Sequence, residues 1–293
     1  MIAGGERLDA RAIGLAVFAM AILGGSYTVG KIALLDLPVF GLLLVRMAVT
    51  VLALGVYAYF AGISLWPRRS SAAYLVAQTG LYVLSQSLLF TALMMTSAGR
   101  AAILFNMQPF FTLLLLPLLV PSERLTRLRW LGTGVAFVGV ALVLGERGTA
   151  GGSILGDVLV LVAALGWTGA IILNKRMPGD ISAVSVIFWT SAGALPVYAL
   201  LTLLLEPVEA WHVSASAVAS VLYLGVVAAC FGFVLVVWLT RTYSASRVNV
   251  FVFLSPVFGV LIGWAALGET VSALQALGAL AVAAGILIVT AER

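Results

Sequence analysis

The chain has 293 residues, of which 63% are hydrophobic and 9% charged, with a mean hydropathy of +1.17. Its 16 basic and 11 acidic side chains are too few to cover the surface of a water-soluble globule of this length, so that class is excluded. The net charge of +5 could suit a nucleic acid, but the Lys and Arg residues bracket apolar runs, the pattern of membrane topology control, and no nucleic-acid partner is expected.

Ten apolar runs can be drawn, each close to the ~18–25 residues that cross a hydrocarbon core as helix. Period-two alternation of the barrel type is absent. The first run, 12–34, follows Arg7 and Arg11. It is longer than the apolar core of a secretory leader, and Glu6 and Asp9 interrupt its basic start, so it is read as a retained span. It carries Tyr27 after Gly24-Gly25-Ser26. Lys31, and Arg46 in the second run (39–61), lie near the outer surface and are expected to snorkel to it. The third run, 72–95, places Gln78, Tyr82 and Gln86 at i, i+4 and i+8, which drift by about 80° around a helix. This polar-aromatic stripe reads as cavity lining, with interhelical bonding as the alternative.

The fourth run, 98–119, has Asn106 near its middle and Pro109, which deprives the Phe105 carbonyl of its helical donor. The fifth, 127–145, presents Gly132, Gly134, Ala136 and Gly139 and no central polar group. In the sixth, 154–174, Trp167 sits deep among Gly166, Thr168 and Gly169, where small neighbours leave room to stack a ring; ordinary packing is the alternative. The seventh, eighth, ninth and tenth runs are 182–204, 215–240, 246–267 and 272–290. Asn249 and Pro256 in the ninth match the region of Asn106 and Pro109. Gly278, Ala279, Ala283 and Gly285 in the tenth match the small residues of the fifth. These two helices are assigned to scaffold or to a homodimer contact. Trp66, Trp130, Trp211, Trp238 and Trp264 fall at or near span ends and read as an interfacial belt, whereas Trp167 and Trp189 do not.

The chain contains one stretch twice. Ser97-Ala98-Gly99-Arg100 leads to Pro109-Phe110-Phe111, and Ser244-Ala245-Ser246-Arg247 leads at the same spacing to Pro256-Val257-Phe258. Gly14 and Gly24 match Gly156 and Gly166. Glu123, Gly132 and Gly139 match Glu269, Gly278 and Gly285. The expected organisation is therefore an all-α membrane protein of ten transmembrane helices, built as two five-helix repeats over 1–148 and 149–293. Five is odd, so the second repeat inserts inverted, an arrangement suited to a site at the membrane midplane. With the N-terminus inside, 12 of the 16 basic residues fall on the inner side, and Lys31, Arg46, Arg100 and Arg147 on the outer. This predicts cytoplasmic termini in a plasma or inner membrane.

Ten spans as five plus five, the segment Leu267-Gly268-Glu269, and Gln275-Ala276-Leu277-Gly278 followed by Gly285 resemble the drug/metabolite transporter superfamily, specifically its EamA-type exporters. The resemblance covers essentially the whole chain, although Pro121-Ser122-Glu123 departs from the Leu-Gly-Glu pattern in the first half. It implies export of amino acids or other metabolites, with aromatic amino-acid exporters as the nearest branch.

The predicted substrate-binding residues are Gln78, Tyr82, Gln86, Asn106, Trp167, Asn249 and Tyr27, around a cavity for a neutral or zwitterionic planar metabolite. All eleven acids lie in connections or at span ends, which disfavours cationic drugs and proton coupling. An organophosphate or nucleotide-sugar exchanger is the alternative within transport, and a receptor or structural protein the alternative outside it. With Cys230 and His212 as the single cysteine and histidine, there is no internal disulfide, metal cluster or hydrolytic constellation, so no enzyme and no cofactor is expected.

Overall fold

The computed structural model describes residues 10–67, 69–119, 127–145, 153–177, 181–242 and 250–291. These residues form helices and short connections, with no strand among them. The first repeat comprises α1 (Ala10–Ala33), α2 (Val39–Phe60), α3 (Ala72–Leu93), α4 (Ala98–Phe105), α5 (Gln108–Leu119) and α6 (Arg127–Gly145). The second comprises α7 (Ile154–Arg176), α8 (Ala183–Leu205), α9 (Ala215–Leu222), a π-helical stretch Tyr223–Gly232, α10 (Phe233–Thr242), a 3-10 turn Val250–Phe253, α11 (Leu254–Leu267) and α12 (Ala273–Ala291). The helices α4 and α5 make one broken span, as do α9, the π stretch and α10, so ten spans result.

Helix starts in a membrane need partners for their first N–H groups, because hydrocarbon offers none. Serine supplies them locally at five starts. Ser97, Ser153, Ser182, Ser214 and Ser272 each accept from the backbone N–H three residues on, at 2.9–3.1 Å. Helix α2 begins after Pro38, which cannot cap, and Glu206 at the end of α8 reaches across instead. Its carboxylate accepts from the Phe40 and Gly41 N–H groups at 2.8 Å.

The packing partners follow a two-fold pattern. Three spans meet their own counterparts: α2 against α8, α4 against α11, and α6 against α12. The remaining pairs come in matched sets: α3 packs on α7 as the π stretch and α9 pack on α1, and α1 packs on α11 as α7 packs on α4 and α5. Hydrogen bonds repeat the relation. Ser85 Oγ donates to the Ala163 carbonyl (2.8 Å), and Tyr223 Oη donates to the Ile22 carbonyl (2.8 Å). The chain is thus an all-α membrane protein of two inverted five-helix repeats.

Small residues set the closest approaches. A Cβ on Gly139 would stand 2.6 Å from the Gly278 carbonyl oxygen, and one on Gly278 would stand 2.7 Å from the Gly139 carbonyl oxygen. The small faces of α6 and α12 therefore meet within one chain. Gly24 and Gly259 likewise bring α1, α4 and α11 together. Large side chains such as Leu52, Phe60, Leu203, Leu261 and Leu280 point outward, as a lipid-facing surface requires.

Two runs are not plain α-helix near their prolines: the fourth breaks between Phe105 and Gln108, before Pro109, and in the ninth a 3-10 turn, Val250–Phe253, leads into the helix that carries Pro256. Pro109 is the second residue of α5 and Pro256 the third of α11, first-turn positions where the missing N–H costs little. The eighth span is not a plain helix: it contains the π stretch Tyr223–Gly232, whose Gly225 carbonyl lies 3.3 Å from Thr50 Oγ1. The Trp211 indole lies against Gly41, near the start of α2, where a Cβ would collide with the ring.

Candidate functional site

Polar groups in a bilayer are costly unless paired, so their placement sorts the two ends of the bundle. One end is sealed by ion pairs and caps. Glu269 accepts from Lys31 Nζ (3.0 Å) and from the Ala98 and Gly99 N–H groups (2.8 and 3.1 Å), tying α1, α4 and the turn after α11 together. Lys31 also donates to the Thr96 carbonyl at 2.8 Å. Arg100 and Asp157 form a fully buried ion pair, and Thr96 Oγ1 donates to the same carboxylate at 2.7 Å. Glu206 caps α2 at this end, and the His212 N–H donates to the Asp36 carbonyl at 2.8 Å. Lys31 therefore does not snorkel, and Arg100 is inside the protein.

From mid-depth towards the other end lies a cavity of about 400 Å³, within the ~300–1,000 Å³ of small-molecule sites. Both repeats line it. Tyr27, Gln78, Tyr82, Gln86, Asn106 and Trp167 all contribute, so the structure brings six of the seven expected residues into one wall. Asn249 lies outside the described residues.

The side chains have different roles there. Four rings form an arc: Tyr82 to Trp167 at 5.8 Å between centroids, Trp167 to Phe105 at 6.0 Å, and Phe105 to Tyr27 at 6.1 Å. These are offset or edge-on contacts, the favoured geometries of aromatic pairs. Gly166 and Gly169 allow this by letting α7 close on Ser85 and Leu81 of α3. Asn106 Nδ2 donates back to the Ala102 carbonyl at 2.7 Å, so its amide nitrogen caps the broken span. Thr168 Oγ1 stands 2.9 Å from the Ala164 carbonyl oxygen and 3.1 Å from that of Gln108, which brings α7 against the start of α5. Gln78 Oε1, Gln108 Oε1 and Thr190 Oγ1 are buried in the lining without a hydrogen-bond partner.

Arg46, expected to snorkel to the outer surface, instead turns into the protein. Its Nη1 donates to Gln86 Oε1 at 3.0 Å and its guanidinium lies 5.3 Å from the Phe90 ring centroid, in the cavity wall. Arg46 is the eighth residue of α2, too deep for its stem to be pulled outward once Gln86 and Phe90 offer contacts inside. Its place about two turns inside the run was the available signal. Trp189, in contrast, does not reach the cavity. Its Nε1 donates to the Leu65 carbonyl at 2.6 Å and its ring packs on Trp66.

The profile of the EamA-like transporter family matches residues 10–145 and again 154–291. A "Probable amino-acid metabolite efflux pump" of Salmonella typhimurium is 33% identical over 203 residues, covering 65% of this chain and 67% of that protein. An "Uncharacterized transporter" of Archaeoglobus fulgidus is 27% identical over 288 residues, covering 95% and 97% of the two chains. A solved crystal structure superposes with a TM-score of 0.68 at 18% identity, over 96% of this chain and 98% of that one, a likeness of fold.

Proposed function

This chain belongs to the EamA-like transporter family and is a membrane transporter, and we propose that it exports small neutral or zwitterionic metabolites, aromatic and other amino acids foremost, by alternating access. The observation that carries this reading is the aromatic-and-amide cavity between the two repeats, accessible from one end and tied shut at the other. An inverted pair of repeats can exchange such states by rocking, because each half can adopt the arrangement of the other. The name of the Salmonella typhimurium relative supports an amino-acid cargo. The repeats are proposed as the units 1–148 and 149–293, with both termini cytoplasmic in a bacterial inner membrane.

The coupling follows from the charges. Of the described acids, Asp36, Asp157, Glu206 and Glu269 are bonded at the sealed end, Glu209 is exposed in the connection after α8, and no carboxylate is among the described lining residues. A proton-coupled carrier needs a titratable group exposed alternately to both sides. Net flux is therefore expected to follow the gradients of the cargo itself. Purified protein in proteoliposomes should catalyse counterflow of radiolabelled L-phenylalanine. A pH gradient imposed with equal L-phenylalanine on both sides and the membrane potential clamped should give no accumulation. Uphill accumulation would overturn the coupling, and no counterflow across a panel of amino acids would overturn the cargo.

A further inference from the structure

We infer that Arg46 is the anchor for a cargo carboxylate: its guanidinium, held by Gln86 at the inner limit of the cavity, receives one carboxylate while the aromatic arc receives an apolar or aromatic body. This rests on the transport reading above and names the chemistry its cargo must carry.

Arginine stays charged in any protein environment, and a charge within a span is normally paired. Arg46 has no acidic partner among the described residues. The described lining contains no Asp or Glu, and the nearby acids are engaged with Arg100, Lys31, Ser214 and the start of α2. Of the guanidinium's donors, Nη1 meets Gln86, whereas Nε is buried with no acceptor and Nη2 makes no hydrogen bond among the described residues. The Nε–Nη2 edge is one of those that bind a carboxylate through two parallel hydrogen bonds. A carboxylate entering from the cavity meets the Nη groups first, and a small turn of the side chain brings Nε into the pair.

The position fits an anchor better than a scaffold element. Arg46 lies six residues, about 9 Å of helix rise, beyond Phe40, whose N–H is capped at the sealed end. It therefore stands at the blind end of the cavity. Its counterpart in the other repeat, the eighth residue of α8, is Thr190, whose buried hydroxyl also lacks a partner. The cation is thus a feature of one repeat and not part of the shared framework. Gln86 acts through Arg46, as a positioning residue. The number of charges limits the cargo as well. A phosphate dianion would bring a second negative charge, and Arg46 is the single cation among the described lining residues. The recognised group is a monocarboxylate, which both an aromatic amino acid and its deaminated acid possess.

Equilibrium binding to the full-length protein in nanodiscs tests this with 3-phenylpropionate, its neutral amide 3-phenylpropanamide, and L-phenylalanine. The carboxylates should bind at least ten-fold more tightly than the amide. Tighter L-phenylalanine identifies an amino-acid cargo, and tighter 3-phenylpropionate a deaminated one; both support the anchor. Arg46→Gln should erase the preference for carboxylate over amide. Gln86→Glu keeps the arginine but supplies an internal counter-ion, and should erase it too. The wild-type comparison stands even where a variant fails to fold. Equal binding of acid and amide by the wild type, or an unchanged preference in a folded Arg46→Gln protein, overturns the anchor. Counterflow of L-phenylalanine separates the two readings. Flux unaltered in both variants sinks the anchor and leaves transport standing. Carboxylate selectivity without any flux leaves the anchor and sinks transport.

Discussion

Trp167 is wedged between Tyr82 and Phe105, and its ring remains half-buried at the cavity wall. Its stacking surface is therefore preorganised before a cargo arrives. A lost aromatic contact costs about 0.5–1.5 kcal/mol beyond the area removed, roughly 2–12-fold in affinity. Trp167→Ala and Tyr82→Ala should each weaken L-phenylalanine counterflow by at least this factor while sparing aliphatic amino acids more. Concentration dependence of counterflow in reconstituted variants of equal abundance is the check, and unchanged half-saturation in both would remove the arc from the binding site. Asn106 contrasts with these rings. Its donor is committed to Ala102, so it shapes the break between α4 and α5 and leaves its oxygen as the group to face a cargo.

Among the elements, α6 and α12 form the most extensive helix pair. Their crossing depends on backbone approaching backbone. Gly139 meets the Gly278 carbonyl, and a Cβ on Gly285 would stand 2.5 Å from the Gly132 carbonyl oxygen. Helices in lipid associate through such close packing, since burial of apolar area offers little there. A Gly139→Ala methyl would force the helices apart, because the atom it meets is backbone and cannot rotate away. Overpacking of this kind costs about 1–3 kcal/mol. Gly134, one and a half turns away, has open space where its Cβ would be. In detergent, Gly139→Ala should lower the thermal midpoint clearly, and Gly134→Ala should leave it unchanged or raise it slightly. Equal midpoints would show that the crossing tolerates separation.

For the whole molecule, orientation in the membrane and the conformational cycle are one question. The outer-side basic residues weighed against the inner twelve include Lys31, Arg46 and Arg100, and all three are engaged inside the protein. Charges withdrawn from the loops do not hold a loop on one side, so the bias toward inner positive charge is larger than the residue count alone suggests. With the proposed cytoplasmic termini, the sealed end would face outward and the cavity would open to the cytoplasm. A reporter active only outside the inner membrane should be silent when fused after Arg293, and one active only in the cytoplasm should work there. The reverse pattern would invert the assignment, and export would become uptake in this state.

Much of this protein was already determined by its amino-acid order. Ten spans follow from run length, because hydrocarbon thickness and helix rise are both fixed quantities. The repeat, the odd number of spans per repeat and the serine starts of α4, α7, α8, α9 and α12 are likewise local or arithmetic properties. So is the stripe Gln78, Tyr82 and Gln86, since helical periodicity alone puts the three on one face. Direction within the bundle is a different kind of information. By run length Arg46, Lys31 and Arg100 fall near one membrane surface, but where each long side chain goes depends on neighbours contributed by distant helices. Gln86 lies 40 residues from Arg46, Asp157 lies 57 from Arg100 and Glu269 lies 238 from Lys31. The helix break before Pro109, the π stretch and the indole against Gly41 share this origin. In each, a local rule allowed several outcomes, and tertiary packing chose the one in which buried polar and backbone groups found partners.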